Sequence, residues 1–212
     1  MDENKRLWTK IPANKTPSSV KIDNDFWKYF KLGDKLLDAG CGSGRGINEA
    51  VKKGLCVVGF DINRNEIAQL KKKKISNVQV KYGDVLKIKF KNKFDGALML
   101  GILSGLKKSE RKRALRRVKS FIKKGGHILI SEFEFSKKFK KRYENDFKVT
   151  GEYGTLSAVH NGKEVFRSHN YTKKELFDLI KNAGLKVIKF KRAQFVSYHK
   201  QKKPGMMIIA KN

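Results

Sequence analysis

The stretch LLDAGCGSGR, residues 36–45, runs an apolar strand into an acid, Asp38, and then into glycines at 40, 42 and 44, with Gly46 one step beyond. Glycine at these positions permits a tight turn and lets a ligand come against backbone N–H groups. The spacing restricts what that ligand is. The dinucleotide fingerprint G-x-G-x-x-G needs a glycine at 45 or 47, where the chain has Arg45 and Ile47. The Gly-Lys-Ser/Thr ending of a phosphate-binding P-loop is also missing. Asp38 repels a pyrophosphate and suits a cationic group such as an amine.

Outward from this loop the chain alternates. Strands are expected over 36–40, 55–61, 78–84, 94–100 and 127–133. Helices are expected over 45–53, 64–73 and 109–122, the last with Ser109 as N-cap. The strands are continuous apolar runs, which suits a parallel sheet covered on both faces and joined by right-handed crossovers. Beyond residue 150 the pattern changes. TLSAVHNGKEVFR carries Asn161-Gly162 between two alternating runs, a hairpin signal. Thr172 to Glu175 reads as a capping box opening a helix that Gly184 closes. LKVIKFKRAQF and GMMIIAKN then read as strands joined too tightly for a helical crossover, so they pair antiparallel. The expected fold is α/β and doubly wound. It has a mostly parallel seven-stranded sheet, an antiparallel C-terminal strand pair and a β-hairpin insertion after the fifth strand. Residues 1–30 read as an N-terminal arm, with a loop at its start and a short helix in DNDFWKYF. Residues 31–212 read as the main domain, with an insertion at about 136–170 lying over the pocket as a lid.

Ligands of such sheets bind beyond the carboxyl ends of the strands. Three successive strands end in acids there: Asp38, Asp61 and Asp84. Asp61 is placed to accept from a ribose diol, and Asp84 from an adenine amino group. An amine, a ribose and an adenine, with no phosphate, describe S-adenosyl-L-methionine.

With these residues in place, the chain resembles the class I, Rossmann-like SAM-dependent methyltransferases over about residues 31–133. LLDAGCGSGR is similar to the family's first motif, and VVGFDIN to its second. YGDVL is similar to the third, FDGALMLGILSGL to the fourth, and IKKGGHILISEF to the turn and fifth strand. The resemblance implies cofactor contacts at Asp38, Gly40, Cys41, Gly42, Asp61, Ile62, Asp84, Val85, Leu100 and Gly101. Ile62 would lie against the adenine, Asp84 and Val85 at its edge, and the backbone around Leu100 to the methionine part. The catalytic group is not legible, because a sulfonium donor is already activated and need not have a protein base. Ser104, His169 and Tyr171 are the candidate acceptor contacts. The Asn-Pro-Pro-aromatic motif of amino-group methylators is absent after Leu100, as are paired catalytic cysteines. Ser104-Gly105 stands where tRNA wobble-uridine enzymes have two histidines.

Composition bounds the rest. The 212 residues include 50 Lys+Arg against 20 Asp+Glu, a net charge of +30. Such an excess points to a polyanionic partner, RNA first, unless it is a bias of composition. The two cysteines, Cys41 and Cys56, form no framework and no metal spacing, so no metal is expected. With no apolar run of membrane length and no signal segment, a cytoplasmic setting is expected, with no membrane partner. The acceptor is a small molecule or RNA, with motifs favouring the small molecule. A non-catalytic SAM- or RNA-binding module is the reading of another class. His127 and His160 read as structural and solvated. Phe139 and Tyr143, interleaved with cations in SKKFKKRYEN, either stack on bases or pack inward. Trp8 and Trp27 either close over the cofactor or pack on the core.

Overall fold

The computed structural model describes residues 3–12 and 20–212. Five parallel strands, β1 (Lys35–Ala39), β2 (Cys56–Asp61), β3 (Val78–Tyr82), β4 (Phe94–Leu100) and β5 (Ile122–Phe133), join an antiparallel pair, β8 (Lys186–Val196) and β9 (Lys202–Lys211). Their order in the sheet is β3-β2-β1-β4-β5-β9-β8, and a separate hairpin pairs β6 (Thr155–His160) with β7 (Lys163–His169). Helices α2 (Arg45–Lys52), α3 (Arg64–Lys72), α4 (Lys108–Ser120) and α6 (Lys173–Asn182) cover the sheet, while α1 (Glu3–Lys10) and α5 (Lys140–Thr150) flank the hairpin.

Period-two alternation divides the core into two layers. Leu37, Ala97, Met99, Ile128, Ile130 and Ile208 point to the face covered by α4 and α6. Their neighbours Leu36, Leu98, Leu129 and Ile209 point to the face covered by α2, α3 and the 3-10 turn Asn24–Tyr29. Strands buried on both sides therefore read as unbroken apolar runs. Trp27 packs in this second layer, 8% exposed. The Asn161-Gly162 turn has φ of 48° and 72°, the two positive values that a type I′ hairpin turn requires. Among the described residues no helix is long and apolar enough to cross a membrane.

Several boundaries differ from the sequence reading, each for a local reason. Residues 6–10 are helical rather than loop, as part of α1, while the rest of that expected loop at 13–19 lies outside the described residues. Helix α4 begins after Lys107, not at Ser109, because Glu110 accepts from the Lys107 N–H and closes the first turn. Thr172 caps α6 by accepting from the Glu175 N–H, while the Glu175 carboxylate also holds His169, 3.0 Å away. Strand β3 stops at Tyr82, leaving Gly83 and Asp84 in the loop beyond. Strand β5 starts at Ile122, its register against β4 shifting by a bulge between Phe94 and Gly96.

One approach decides how α2 meets the sheet. A Cβ on Gly46 would lie 2.5 Å from Asp38 Oδ2 and 2.8 Å from Leu98 Cδ1. In an open helix Gly→Ala gains ~1 kcal/mol, but overpacking a core costs about 1–3 kcal/mol, so the clash wins here. Gly46→Ala is therefore expected to lower stability in urea unfolding, and a gain in midpoint would overturn this packing.

Candidate functional site

The chain leaves β1 for β2 and β3 on one side and returns to β4 on the other. The switch point lies at the carboxyl ends of β1 and β4, where ligands of open α/β sheets bind. A cavity opens there. All ten residues assigned from the sequence line it: Asp38, Gly40, Cys41, Gly42, Asp61, Ile62, Asp84, Val85, Leu100 and Gly101.

Asp38, next to last in β1, is fully buried, and its Oδ2 has no hydrogen-bond partner. Burial pushes its carboxyl up to about 7, against the pull of Arg45 and with a further push from Asp61. Asp61 ends β2. Its Oδ2 accepts from the Gly42 N–H and its Oδ1 from the Asn63 N–H, each at 2.8 Å. Its carboxylate thus holds the glycine loop and the start of α3, while burial raises its pKa. Asp84 Oδ1 accepts from the Leu86 N–H at 2.8 Å, and its Oδ2 lies 3.4 Å from Lys5 Nζ. The carboxylate read as an adenine acceptor therefore also holds a lysine. Cys41 is buried, which with the charges of Asp38 and Asp61 drives its thiol well above its usual range. It is an inert wall.

Sequence reading placed the hairpin over this cavity. The structure puts α1 there instead, with Lys5, Trp8 and Ile11 among the lining residues. Lys5 bridges Asp84 and Glu110, and Asn63 Nδ2 donates to the Trp8 and Ile11 carbonyls. Asn4 ties the same helix to the Gly105 carbonyl and to both backbone groups of Arg167 on β7. Tethers of this kind leave little periodic signal in the sequence of α1, because they are single polar contacts with partners distant in the chain.

The hairpin lines a second cavity, which shares Trp8 and Gly101 with the first. Leu156, Ala158 and Phe166 of the hairpin face Phe133, Tyr198, His199, Arg142 and Lys203. Ser104 also lines it, with its hydroxyl donating to the Gly101 carbonyl at 2.9 Å. His169 and Tyr171 line neither of these two cavities. His169 hydrogen-bonds Thr155 Oγ1 at 2.9 Å and Glu175 at 3.0 Å. Tyr171 is fully buried under the Arg111 guanidinium. Glu152, His169 and Glu175 bring ligand atoms within 4.8 Å of one another. Arg111, donating to both Glu152 oxygens at 2.6 and 2.7 Å, already supplies that cluster with a cation.

Residues that the sequence reading passed over are Lys5, Arg142, Tyr198, His199 and Lys203. The last three sit in a segment read only as a strand linker; an aromatic-His pair in so short a basic turn was the available signal. Tyr143 is fully buried, stacked on Phe135 with its hydroxyl held by Asn170, and so is closed to bases. His127 stacks on Tyr29 and His160 is exposed.

A family model described as a methyltransferase domain matches residues 30–184. A solved SAM-dependent methyltransferase of Methanosarcina mazei is 28% identical, with a TM-score of 0.85 over 91% of this chain and 99% of that one. The 1,6-didemethyltoxoflavin-N1-methyltransferase of Burkholderia thailandensis, solved with 1,6-didemethyltoxoflavin and S-adenosylhomocysteine, is 21% identical. It covers 85% of this chain and 72% of its own, with a TM-score of 0.63. The N-methyltransferase NodS of Bradyrhizobium japonicum, in complex with S-adenosylhomocysteine, is 13% identical and covers 85% and 79%, with a TM-score of 0.58. Among curated proteins none matches the sequence.

Beneath the loop after β4, fully buried Glu132 accepts from the Leu103 N–H at 2.9 Å, and burial raises its pKa to about 8. The folded chain thus keeps a proton that the unfolded chain releases near ~4.3. That stabilisation is complete below the unfolded value and is lost as pH rises towards about 8. Glu132→Gln keeps the acceptor and removes the titration. Urea unfolding is expected to show a shallower fall in stability for the variant between about pH 5 and pH 8, with Asp38 and Asp61 still contributing. Parallel curves for the two proteins would exclude Glu132 as the source.

Proposed function

The chain belongs to the methyltransferase-domain family, and from that footing we propose that it moves a methyl group from S-adenosyl-L-methionine to a small-molecule acceptor. The observation that carries the reading is Asp38, a fully buried carboxyl with one oxygen unpartnered, set in a cavity walled by glycine backbone and three further acids, Asp61, Glu66 and Asp84. A cationic amino group there restores the interaction that burial removed. Asp61 keeps acceptor capacity for a ribose hydroxyl beyond the backbone N–H groups that it already holds. Asp84 and Val85 border the place for an adenine.

S-adenosylmethionine, when bound, supplies a sulfonium whose methyl carbon is open to in-line displacement, the bonding pair leaving with sulfur. The protein's part is to orient and to exclude water. Backbone at Leu100 and Gly101 comes against the methionine end, and Trp8, tilted on Phe166 at 4.7 Å, lines both cavities where they meet. The Ser104 hydroxyl is held between the Gly101 carbonyl and the Glu132 carboxyl, which suits a positioning role.

RNA is the second reading, favoured by the +30 charge. Burial of Tyr143 removes one of the two aromatics that the basic segment offered for stacking, and Phe139 lies under Lys203, 4.8 Å from its Nζ. Both observations support the small molecule.

Incubation with methyl-labelled cofactor and a fractionated cell extract decides among the readings. Label is expected in the small-molecule fraction. Label in RNase-sensitive, acid-precipitable material would move the acceptor to RNA. Bound cofactor with no transferred label would mean a binding module without catalysis. Asp61→Ala is expected to weaken cofactor binding by at least about tenfold, or ~1.4 kcal/mol, while the protein stays folded. Unchanged affinity by calorimetry would overturn the placement. Because Asp38 titrates at about 7, affinity for the cationic cofactor is expected to rise between about pH 6 and pH 8 as its carboxylate forms, and Asp38→Asn to flatten that rise.

A further inference from the structure

The second cavity has apolar walls and one charged end. Leu156, Ala158, Phe166 and Tyr198 make the walls. At the charged end stand Lys203, Arg142 and His199. Lys203 is only 7% exposed and forms no ion pair among the described residues; its Nζ rests over the Phe139 ring. Arg142 donates to the Ser157 carbonyl at 3.0 Å and lies 3.6 Å from Asp146. Asp146 thus stands beside an arginine, a buried lysine and a histidine. Burial, reinforced by Arg142, pulls the Lys203 ammonium down to about 8, and burial with the same two cations lowers His199. Like charges gathered in an apolar enclosure are costly unless an anion joins them.

We propose that this cavity receives the methyl acceptor and that the acceptor is a small organic acid. Its carboxylate or phosphate sits at Lys203 and Arg142, and its apolar body lies between the hairpin and Tyr198. This deepens the methyl-transfer reading above and rests on it. Trp8 and Gly101, shared with the first cavity, mark the end at which the acceptor meets the donor. An ammonium and a guanidinium with aromatic walls select a single planar acid over a neutral ligand of the same shape.

The test uses the full chain saturated with S-adenosylhomocysteine, whose own binding is measured first by calorimetry. Benzoate, phenyl phosphate and benzamide are then titrated as probes. One of the two acids is expected to bind at least about tenfold more tightly than benzamide. Which one does so separates a carboxylate acceptor from a phosphate one. Lys203→Met is expected to abolish that preference and leave benzamide and S-adenosylhomocysteine binding unchanged, while Lys203→Arg retains it. A signal independent of any variant is the NMR shift of the reductively methylated Lys203 ammonium on adding the preferred acid. Equal binding of all three probes, or an unmoved Lys203 resonance, overturns the acid subsite while the methyl-transfer reading stands. Displacement of the preferred probe by a short single-stranded RNA at equimolar concentration overturns it in favour of RNA phosphate. Failure to bind S-adenosylhomocysteine overturns methyl transfer and the acceptor assignment together.

Discussion

The contact between Gly46 and the Asp38 carboxyl is the constraint from which the rest of the site follows. It seats the first turn of α2 directly on the end of β1, so that the glycine loop between them has no slack. The loop must then turn through positive φ at residues 40, 42 and 44, which presents its backbone to the cavity. Asp61 reaches across from β2 to take the Gly42 N–H, so two neighbouring strand ends are locked to one loop. Asp38 is left inside with an oxygen that the protein does not satisfy. Such a group is costly in a folded chain and is retained where a ligand completes it.

A protein with 50 cations and 20 acids uses its few acids inside. Asp38, Asp61, Glu66 and Glu132 are at most partly exposed, and Glu152 and Glu175 are joined through Arg111 and His169. The Arg111 cluster ties α4, the loop before β6 and the first turn of α6 into one unit, and so anchors the hairpin from behind. The hairpin can therefore form a fixed wall of the second cavity. His169 and Tyr171, which the sequence offered as acceptor contacts, belong to this anchor. Their setting shows why residues next to a helix start so often carry polar side chains for structural ends.

The sheet was legible because burial on both faces leaves long apolar runs, and the acids at the ends of the runs were legible because an acid after a buried strand has few other reasons to be there. What stayed hidden rests on contacts between distant parts of the chain. The place of α1 depends on Asn4, Lys5 and Asn63, none of which differs in pattern from a surface residue. The cap of α4 was misread for a related reason: Glu110, which closes its first turn, also serves Lys5, a partner that the local sequence does not mention. The cations of the second cavity were lost among many similar lysines until the fold separated Lys203 from the solvated ones.

The tethers of α1 also carry a consequence for the order of assembly. This helix precedes its partners in the chain by a wide margin: Asn4 binds groups 101 and 163 residues further on. Its tethers to Asn63, Asp84, Gly105 and Glu110 can form before the hairpin exists, but those to Arg167 cannot, and contacts of such separation form late and slowly. Until the segment carrying Arg167 has been made and folded, the helix lacks its full set of tethers and the roof of the first cavity is not fixed. The chamber beneath it is closed only after the strands that line its floor have already paired.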